Sequence, residues 1–474
     1  MVATDIKTLA RWSGGRLFGN AENIVRDIKI DSRQASFEEL FVCVVGENKD
    51  GHSYVESAYL QGCRCFLMSN MNAAGSLLQK HEDCSVILVP DTNLGFQNMA
   101  SGYLGQFDVK KIAVTGSVGK TTTKELARAV LSEGYKTVCT QKNLNTHLGL
   151  CLTCFLADAS TQAIVFEMGM DRTGEIEEYC SWVKPSVCII TNIGITHMEK
   201  LGSREAIAMA KFEITKHLTK SCPLIYNCDS DFLGDESIAK YTASNFYKFP
   251  VGSSENARLR VYDVEDRGVN GISFKLKYNG RDKVRVKLPL LGVHNAENAA
   301  LAVACGIWLG LTPGECASGL AKAKQTDKRL AAEDLGDIFL IDDSYNASPA
   351  SMEAALNVLA SVPAKRKIAV LADMYELGKE EMAGHLIVGR RAAEADIDVL
   401  VCIGRNAALY EQGALGVNPN MNCIKFGSLG KAMEWAMANI KEGDAVLVKG
   451  SNSTRVSEIA QGIKKFFGGN NNAN

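Results

Sequence analysis

The sequence predicts an α/β protein of about three domains, built on parallel sheets that are wrapped by helices. Short apolar runs of strand length alternate with helical patterns, at residues 111–115, 163–167, 187–191, 338–343, 368–372 and 445–449. Such alternation is typical of parallel sheets. The chain has 474 residues, which is more than one hydrophobic core usually organises, so a single domain is disfavoured.

Domain boundaries follow from the grouping of these runs. The stretch Leu311-Thr312-Pro313 separates two groups, while the first 109 residues carry short strands of their own and no phosphate loop. We therefore expect domains at residues 1–109, 110–312 and 313–474. Apolar residues also alternate with polar ones on both sides of Asn279-Gly280, which predicts an antiparallel hairpin with a tight primed turn.

The composition excludes some classes of function. Lys and Arg number 52 and Asp and Glu number 54, so no basic field favours nucleic acid or an anionic membrane. The 15 cysteines are scattered, and no apolar signal core follows the start, so we expect a cytoplasmic protein with reduced thiols. No apolar run approaches the length of about 20 residues that spans a bilayer. Nothing in the sequence requires more than a monomer.

The clearest local motif is a phosphate-binding loop between the strand 111–115 and a helical pattern. Its residues are Thr115, Gly116, Ser117, Val118, Gly119, Lys120, Thr121 and Thr122. Glycines let backbone amides surround phosphate oxygens, Lys120 brings a positive charge to the transferred phosphoryl group, and the Thr121 hydroxyl would bind Mg²⁺. Val114 replaces the glycine of the strict pattern, and a simple glycine-containing turn is the alternative.

Two residues at strand ends are candidate metal ligands. Glu167 ends the run 163–167, and the carboxyl ends of parallel strands are where such sheets bind ligands, although carboxylates there are often only solvated. His197 follows the run 187–191. Imidazole is not a preferred ligand of Mg²⁺, so His197 is the weaker candidate.

Lys211 is a candidate for unusual chemistry. Ser203 can cap a helix in which Lys211 lies one turn after Ile207, on the apolar face. A half-buried lysine there would have a lowered pKa and could react as a neutral amine. The alternative is a lysine whose stem covers apolar surface while its ammonium reaches water.

Four segments of the chain resemble the Mur ligases, which are ATP-dependent enzymes that join a carboxylate to an amine. The segments are Thr115 to Glu125, Asn192 to His197, Gly292 to Asn298 and Val448 to Ser451. The resemblance implies an N-terminal α/β domain for the UDP end of the substrate and a central P-loop ATPase domain with an added antiparallel segment. A C-terminal Rossmann-like α/β domain would close on the nucleotide and bind the incoming amine.

The resemblance also implies roles for individual residues. By matching position, Lys120, Glu167, His197 and Lys211 would be catalytic, with Lys211 carrying a CO₂-derived carbamate. Magnesium would be bound by Thr121, Glu167, His197 and the carbamate of Lys211. The nucleotide would also be contacted by Asn298, Arg329 and Asp343. Substrate contacts are implied for Ser32, Arg33, Gly46, Asp50, His52, Asn145, Thr146, Asn346 and Asp373.

Two C-terminal segments, Asp342 to Pro349 and Leu371 to Gly378, are similar to one branch of the family. That branch adds D-alanyl-D-alanine to UDP-N-acetylmuramoyl-tripeptide through an acyl phosphate, with ATP and Mg²⁺, in peptidoglycan precursor synthesis. Thr146, Ser348 and Asn452 depart from the family pattern, which puts substrate contacts in doubt but not the chemistry. The third residue of the tripeptide, diaminopimelate or lysine, stays open.

Two alternative functions stay open from the sequence. One is a sister ligase, either another Mur-type amino-acid ligase or a folylpolyglutamate synthase. The other is a nucleotide-binding scaffold or switch that ligates nothing. A scaffold would not need Lys211, His197 or a third domain that carries Arg329 and Asp343.

Overall fold

The structure, a computed structural model, describes residues 1–242 and 246–468. Among these residues, three sheets of five, nine and six strands are flanked by helices, and a two-stranded sheet lies near the N-terminus. The predicted α/β class is therefore confirmed. In the described residues, no helix combines the length and the apolar character needed to cross a membrane.

The first segment forms the five-stranded sheet, in the order β2-β7-β6-β5-β4, in which only β2 runs antiparallel to its neighbour. Its elements are β1 (Thr4–Asp5), α1 (Ile6–Ser13), β2 (Arg16–Gly19), β3 (Ile24–Val25), β4 (Asp27–Lys29), β5 (Glu39–Val42), α2 (Val55–Leu60), β6 (Cys65–Met68), α3 (Met71–Lys80), β7 (Ser85–Leu88) and α4 (Thr92–Leu104). Phe41 and Phe66 are buried and pack edge to face, with ring centroids 6.5 Å apart. Asp91 begins α4 by accepting backbone amides.

The middle segment forms the nine-stranded sheet, in the order β16-β15-β14-β13-β12-β11-β8-β10-β9. Its elements are β8 (Lys110–Thr115), α5 (Lys120–Leu131), β9 (Thr137–Cys139), α6 (His147–Cys154), β10 (Ala163–Glu167), α7 (Glu175–Val183), β11 (Val187–Ile190), α8 (Met198–Leu201), α9 (Arg204–Phe212), β12 (Pro223–Asn227), α10 (Asp235–Tyr241), β13 (Tyr247–Gly252), β14 (Leu259–Asp266), β15 (Ile272–Tyr278), β16 (Arg281–Leu288), α11 (Asn295–Trp308) and α12 (Pro313–Ala321).

The predicted hairpin is confirmed. Strands β15 and β16 pair antiparallel, and the turn residues Asn279 and Gly280 have φ angles of 48° and 73°. Positive φ at both central residues is what a type I′ turn requires. Beyond the sheet, Thr312 and Glu315 form a capping box that begins α12, and a side-chain carbon on Gly319 would lie 2.6 Å from the carbonyl of Ala129 in α5. Helix α12 therefore packs closely against α5.

The last segment forms the six-stranded sheet, in the order β17-β18-β22-β19-β20-β21, in which only β17 is antiparallel. Its elements are β17 (Ala331–Asp334), β18 (Phe339–Asp343), α13 (Pro349–Ser361), β19 (Arg366–Ala372), α14 (Glu381–Glu394), β20 (Val399–Ile403), α15 (Ala407–Leu415), β21 (Asn422–Phe426), α16 (Leu429–Asn439), β22 (Asp444–Lys449) and α17 (Ser457–Gly468). Alternate strand residues pack against α13 to α15 on one face and against α16 and α17 on the other.

The chain divides into two compact units. The first comprises Met1–Ala113, Tyr135–Gly169 and Glu177–Ser186. The second comprises Val114–Gly134, Met170–Ile176 and the described residues from Val187 onward. The phosphate loop, Lys211 and the six-stranded sheet all belong to the second unit, whereas Glu167 belongs to the first.

Candidate active site

The phosphate loop joins β8 to α5, and its geometry requires two of its glycines. Gly116 has φ 148° and Gly119 has φ 85°, which are conformations that other residues rarely adopt. A side-chain carbon on Gly116 would lie 1.9 Å from Oγ1 of Thr191, and one on Gly119 would lie 2.6 Å from Oδ1 of Asn298. Both positions therefore admit only glycine, and the loop follows a fixed path.

The amides at the start of α5 are arranged to bind an anion. Helix α5 begins after Gly119 without a side-chain cap, and the amides of Gly119, Thr121 and Thr122 donate to no residue in the described part of the chain. Such amides, together with the positive end of the helix dipole, favour phosphate oxygens. The Lys120 ammonium lies in the same loop and donates to two loop carbonyls, at 2.7 and 3.2 Å. This corner of the second unit is therefore suited to the phosphates of a nucleotide.

The Thr121 side chain fits a metal ion. Only 3% of the residue is exposed, and among the described residues its buried Oγ1 has no hydrogen-bond partner. A buried hydroxyl without a partner lowers the stability of the fold by about 1–3 kcal/mol, so most buried hydroxyls bind a protein group, a water or an ion. A hydroxyl oxygen is a hard ligand of the kind that Mg²⁺ prefers.

Asn298 lies in α11, directly against the phosphate loop. Its Oδ1 accepts from the hydroxyl of Thr123 at 3.3 Å, and its Nδ2 donates to Oδ1 of Asn295 at 2.9 Å. The residue therefore joins α11 to α5 in addition to any contact that it makes with a ligand.

Lys211 is buried in α9. Ser203 caps this helix as the sequence predicts, accepting from the amide of Ala206 at 3.1 Å, and Ile207 is buried beside the lysine. Only 1% of Lys211 is exposed, and no carboxylate among the described residues pairs with its ammonium. Burial, reinforced by the charge of Lys120, lowers the pKa of Lys211 well below its usual range. The structure buries the lysine more completely than the half-buried position that the sequence suggests.

His197 is held by acidic side chains. It has a left-handed backbone, with φ 63°, at the start of α8. Its Nδ1 lies 3.0 Å from Oε2 of Glu376 and 3.6 Å from Oδ1 of Asp171. The nearby imidazole of His197 lowers the pKa of Glu376. Sequence reasoning missed both carboxylates, because they lie 26 and 179 positions away along the chain.

In the first unit, the structure brings two predicted residues together. Glu167 ends β10 and is 1% exposed. Asn145 donates from Nδ2 to Oε1 of Glu167 at 2.9 Å, and the Glu167 amide donates to Oγ1 of Thr140 at 3.1 Å. Thr146 is exposed at the start of α6, and its side chain caps no amide of that helix. The substrate candidate Asn145 therefore orients the metal candidate Glu167.

The predicted residues Asp50 and His52 hold a loop of the first unit. The Nε2 atom of His52 accepts from the amides of Ser69 and Asn70, at 2.9 and 3.2 Å. Since Nε2 accepts, Nδ1 carries the proton and donates to Oδ1 of Asp50 at 2.6 Å. Gly46 lies in the same loop, where its amide donates to the carbonyl of residue 49 at 2.9 Å.

Arg33 is exposed, in contrast to its neighbour Ser32, of which only 8% is exposed. The Arg33 guanidinium donates to both carboxylate oxygens of Asp31, and this pairing lowers the pKa of Asp31 to about 2. The pair leaves part of the guanidinium available to a further anion.

Asp343 and Lys449 form a buried ion pair at the carboxyl ends of β18 and β22. Oδ2 of Asp343 lies 2.5 Å from Nζ of Lys449, which is 2% exposed, and Oδ1 accepts from the amide of Leu330 at 3.0 Å. Lys449 also donates to the carbonyl of Asn346 at 2.9 Å, while the Asn346 side chain is exposed. Nearby in sequence, the Arg329 guanidinium lies 4.0 Å over the ring of Tyr345.

Asp373 is committed to the loop after β20. Its two carboxylate oxygens accept from the amides of Arg405 and Asn406, both at 3.0 Å. Gly404 has φ 113°, and a side-chain carbon there would lie 2.3 Å from Oδ2 of Asp373. The carboxylate therefore fixes this loop at the carboxyl edge of the six-stranded sheet.

The fold and the phosphate loop define a multidomain ATP-dependent enzyme, and comparison with known proteins gives its family. Residues 114–306 match the Mur ligase middle domain, and residues 329–452 match the family described as Mur ligase, glutamate ligase domain. The chain belongs to the Mur ligase family, whose members are ATP-dependent ligases that form a C–N bond.

Several full-length relatives share one activity. The UDP-N-acetylmuramoyl-tripeptide–D-alanyl-D-alanine ligase of Bacillus subtilis (strain 168) is 34% identical over 98% of this chain and 99% of its own. A crystal structure of MurF from Acinetobacter baumannii aligns with a TM-score of 0.85 at 27% identity, covering 97% of this chain and 98% of that one. The MurF ligase of Thermotoga maritima, in complex with ADP, has a TM-score of 0.77 at 25% identity and covers 94% and 99%.

Proposed function

We propose that this chain adds D-alanyl-D-alanine to the terminal carboxylate of UDP-N-acetylmuramoyl-tripeptide, with cleavage of ATP, in the cytoplasmic synthesis of peptidoglycan precursors. The observation that carries the proposal is the 34% identity, over 98% of the chain, with a ligase of that name. The arrangement of the phosphate loop supports the use of ATP.

A carboxylate is a poor electrophile, and in the proposed reaction ATP activates it. A carboxylate oxygen of the tripeptide attacks the γ-phosphorus, the bond to the bridging oxygen breaks, and ADP leaves. The amine of D-alanyl-D-alanine then attacks the acyl carbon, the C–N bond forms, and the amine loses a proton while phosphate departs with the former carboxylate oxygen. Lys120 and the loop amides stabilise negative charge on the transferring oxygens. No protein nucleophile is needed.

Within the second unit, Mg²⁺ would be held by Thr121, His197 and a carbamate on Lys211. When bound, the ion neutralises charge on the phosphate oxygens. The Lys211 Nζ lone pair would attack the carbon of CO₂ and release a proton, which converts the amine to an anionic metal ligand. The complete burial of Lys211 and its lowered pKa support this step, because only a neutral amine has the lone pair. The buried, unpaired hydroxyl of Thr121 supports the metal assignment.

The remaining predicted residues divide among the three substrates. Residues 1–109 would receive the UDP end and residues 110–312 the ATP, while residues 313–474 would close on the nucleotide and bind the dipeptide, with a single chain sufficient for the whole reaction. Contacts with the nucleotide are assigned to Asn298, Arg329 and Asp343. Contacts with the UDP-linked substrate or the dipeptide are assigned to Ser32, Arg33, Gly46, Asp50, His52, Asn145, Thr146, Asn346 and Asp373.

The test is phosphate release by the purified chain with ATP, Mg²⁺, UDP-N-acetylmuramoyl-tripeptide and D-alanyl-D-alanine. We expect release only when all components are present, and tripeptides ending in diaminopimelate and in lysine are compared in parallel. Lys120→Met should abolish release, whereas Lys322→Met removes an exposed lysine that pairs with Glu133 and should leave it unchanged. Release that continues without the dipeptide would refute the proposal.

A further inference from the structure

Thr191 and Asn192, which directly follow β11, form hydrogen bonds with the backbone of one phosphate-loop residue, Val118. The carboxamide of Asn192 contacts the Val118 backbone twice, since Oδ1 accepts from its amide at 2.9 Å and Nδ2 donates to its carbonyl at 3.1 Å. The Thr191 hydroxyl donates to the same carbonyl at 2.6 Å. The backbone carbonyl of Asn192 also accepts from the Ser117 amide at 3.0 Å, and the Gly194 amide donates to Oγ of Ser117 at 2.8 Å.

This pattern fixes the orientation of the Asn192 side chain. The Val118 amide can only donate and its carbonyl can only accept, so the carboxamide satisfies both groups in one orientation and neither in the flipped one. The side chain therefore pairs with the Val118 backbone in the way that the backbone of a neighbouring β-strand would. It reaches across 74 positions of the chain to do so.

The two contacts set the direction of two peptide planes, because a trans peptide directs its N–H and its C=O to opposite sides. The Val118 amide points to Asn192, so the carbonyl of Ser117 in the same plane points away from it, where it accepts from Nζ of Lys120 at 3.2 Å. The Val118 carbonyl also points to Asn192. The amide of Gly119, in the next plane, is therefore directed to the opposite side, among the amides that start α5.

We propose that Asn192 is a positioning residue of the nucleotide site, with a carboxamide that fixes both peptide planes around Val118 and so aims the Gly119 amide and the Lys120 ammonium at the phosphates of ATP. Thr191 shares one of the two contacts. Asn192 itself touches no reacting atom. The inference rests on nucleotide binding by the loop and not on the identity of the acceptor substrate.

The test compares binding of ADP and of adenosine, in buffer with Mg²⁺, to the full chain and to Asn192→Ala. Asn192→Ala loses the two hydrogen bonds that orient the phosphate-binding groups of the loop, so it should bind ADP about 10- to 100-fold more weakly. Adenosine carries no phosphate, so its affinity should not change. In the ligase assay the KM for ATP should rise, while the KM for D-alanyl-D-alanine stays constant. Unaltered ADP affinity, or equal weakening of ADP and adenosine, would overturn the proposal.

Two further comparisons protect the test from a folding artefact. Thr191→Val removes one of the two donors to the Val118 carbonyl and should weaken ADP binding less than Asn192→Ala, whereas Thr191→Ser keeps the hydroxyl and should bind ADP as the unaltered chain does. If Asn192→Ala does not fold, the proposal is tested by comparing the ADP affinities of Thr191→Val and Thr191→Ser. Equal affinity of these two variants overturns the proposal.

Asn439→Ala is the matched control, since it removes an asparagine that donates to a backbone carbonyl in α16, at 2.9 Å. If the unaltered chain binds ADP but does not ligate, only the proposed acceptor is refuted.

Discussion

The substitution Thr121→Val should stabilise the protein without nucleotide and impair it with nucleotide. The hydroxyl of Thr121 is buried and has no partner among the described residues, so it carries a desolvation cost that a methyl group does not. Valine has the same shape as threonine and a similar helix propensity. The net gain without ligand should therefore be about 1–2 kcal/mol.

Thr123→Val is the matched control on the same helix. Thr123 is also buried, but its hydroxyl donates to Oδ1 of Asn298 at 3.3 Å. Removing that hydroxyl leaves a buried carboxamide oxygen with one partner fewer, so we expect a loss of about 1 kcal/mol. The two valine substitutions should thus change stability with opposite signs.

Differential scanning calorimetry with and without ADP and Mg²⁺ measures both effects. A domain of about 200 residues changes its Tm by roughly 2–4 °C for each kcal/mol, so both shifts are measurable. Ligand at about 100 times its Kd should stabilise the unaltered chain by about 2.7 kcal/mol, and Thr121→Val should lose most of this gain. A lower Tm for ligand-free Thr121→Val, or full stabilisation of that variant by ADP and Mg²⁺, would refute the assignment of this hydroxyl to the metal.

Three further predictions concern buried charges. Lys211→Ala should abolish ligase turnover and be partly rescued by short carboxylic acids, and activity equal to that of the unaltered chain would rule out the carbamate. Lys449→Met should lower the stability of the six-stranded sheet segment in urea by about 3–5 kcal/mol, because the Asp343 carboxylate stays buried, and adding Asp343→Asn should recover part of the loss. Burial raises the pKa of Glu125, but the charges and hydrogen bonds of Lys124 and Arg128 together outweigh burial, and the net shift is downward. The ionised Glu125 carboxylate therefore stabilises the fold above its ordinary pKa of 4.5, and this stabilisation is lost as the pH falls through the lowered value. Glu125→Gln should lower the Tm at pH 7 and have no effect on it at low pH. A Tm difference between variant and unaltered chain that does not change with pH would contradict this.

The strands and the phosphate loop could be predicted from sequence because their signals are local. The run 163–167 is a strand with those same bounds, and the hairpin turn needed only Asn279-Gly280. The loop could be recognised despite Val114, because its glycines, its lysine and the following helix lie within a few residues of each other. Periodicity and turn chemistry operate at this range.

The contacts that position the site could not be predicted, because they join residues that are distant along the chain. The segment Asn192 to His197 could be recognised in the sequence, but nothing there indicates that the Asn192 side chain holds Val118. The Lys449 ammonium reaches carbonyls and a carboxylate more than 100 positions away. Only the tertiary arrangement of strand ends at one edge of a sheet brings such groups together.

The fate of one carboxylate oxygen tests most directly the central claim, that the chain activates the tripeptide carboxylate by phosphorylation. UDP-N-acetylmuramoyl-tripeptide labelled with ¹⁸O in its terminal carboxylate is incubated with the chain, ATP, Mg²⁺ and D-alanyl-D-alanine, and the released phosphate is examined by mass spectrometry. If an acyl phosphate forms, each product molecule leaves one labelled oxygen in inorganic phosphate. Phosphate without label, released while the dipeptide is joined, would contradict activation of the carboxylate by phosphorylation.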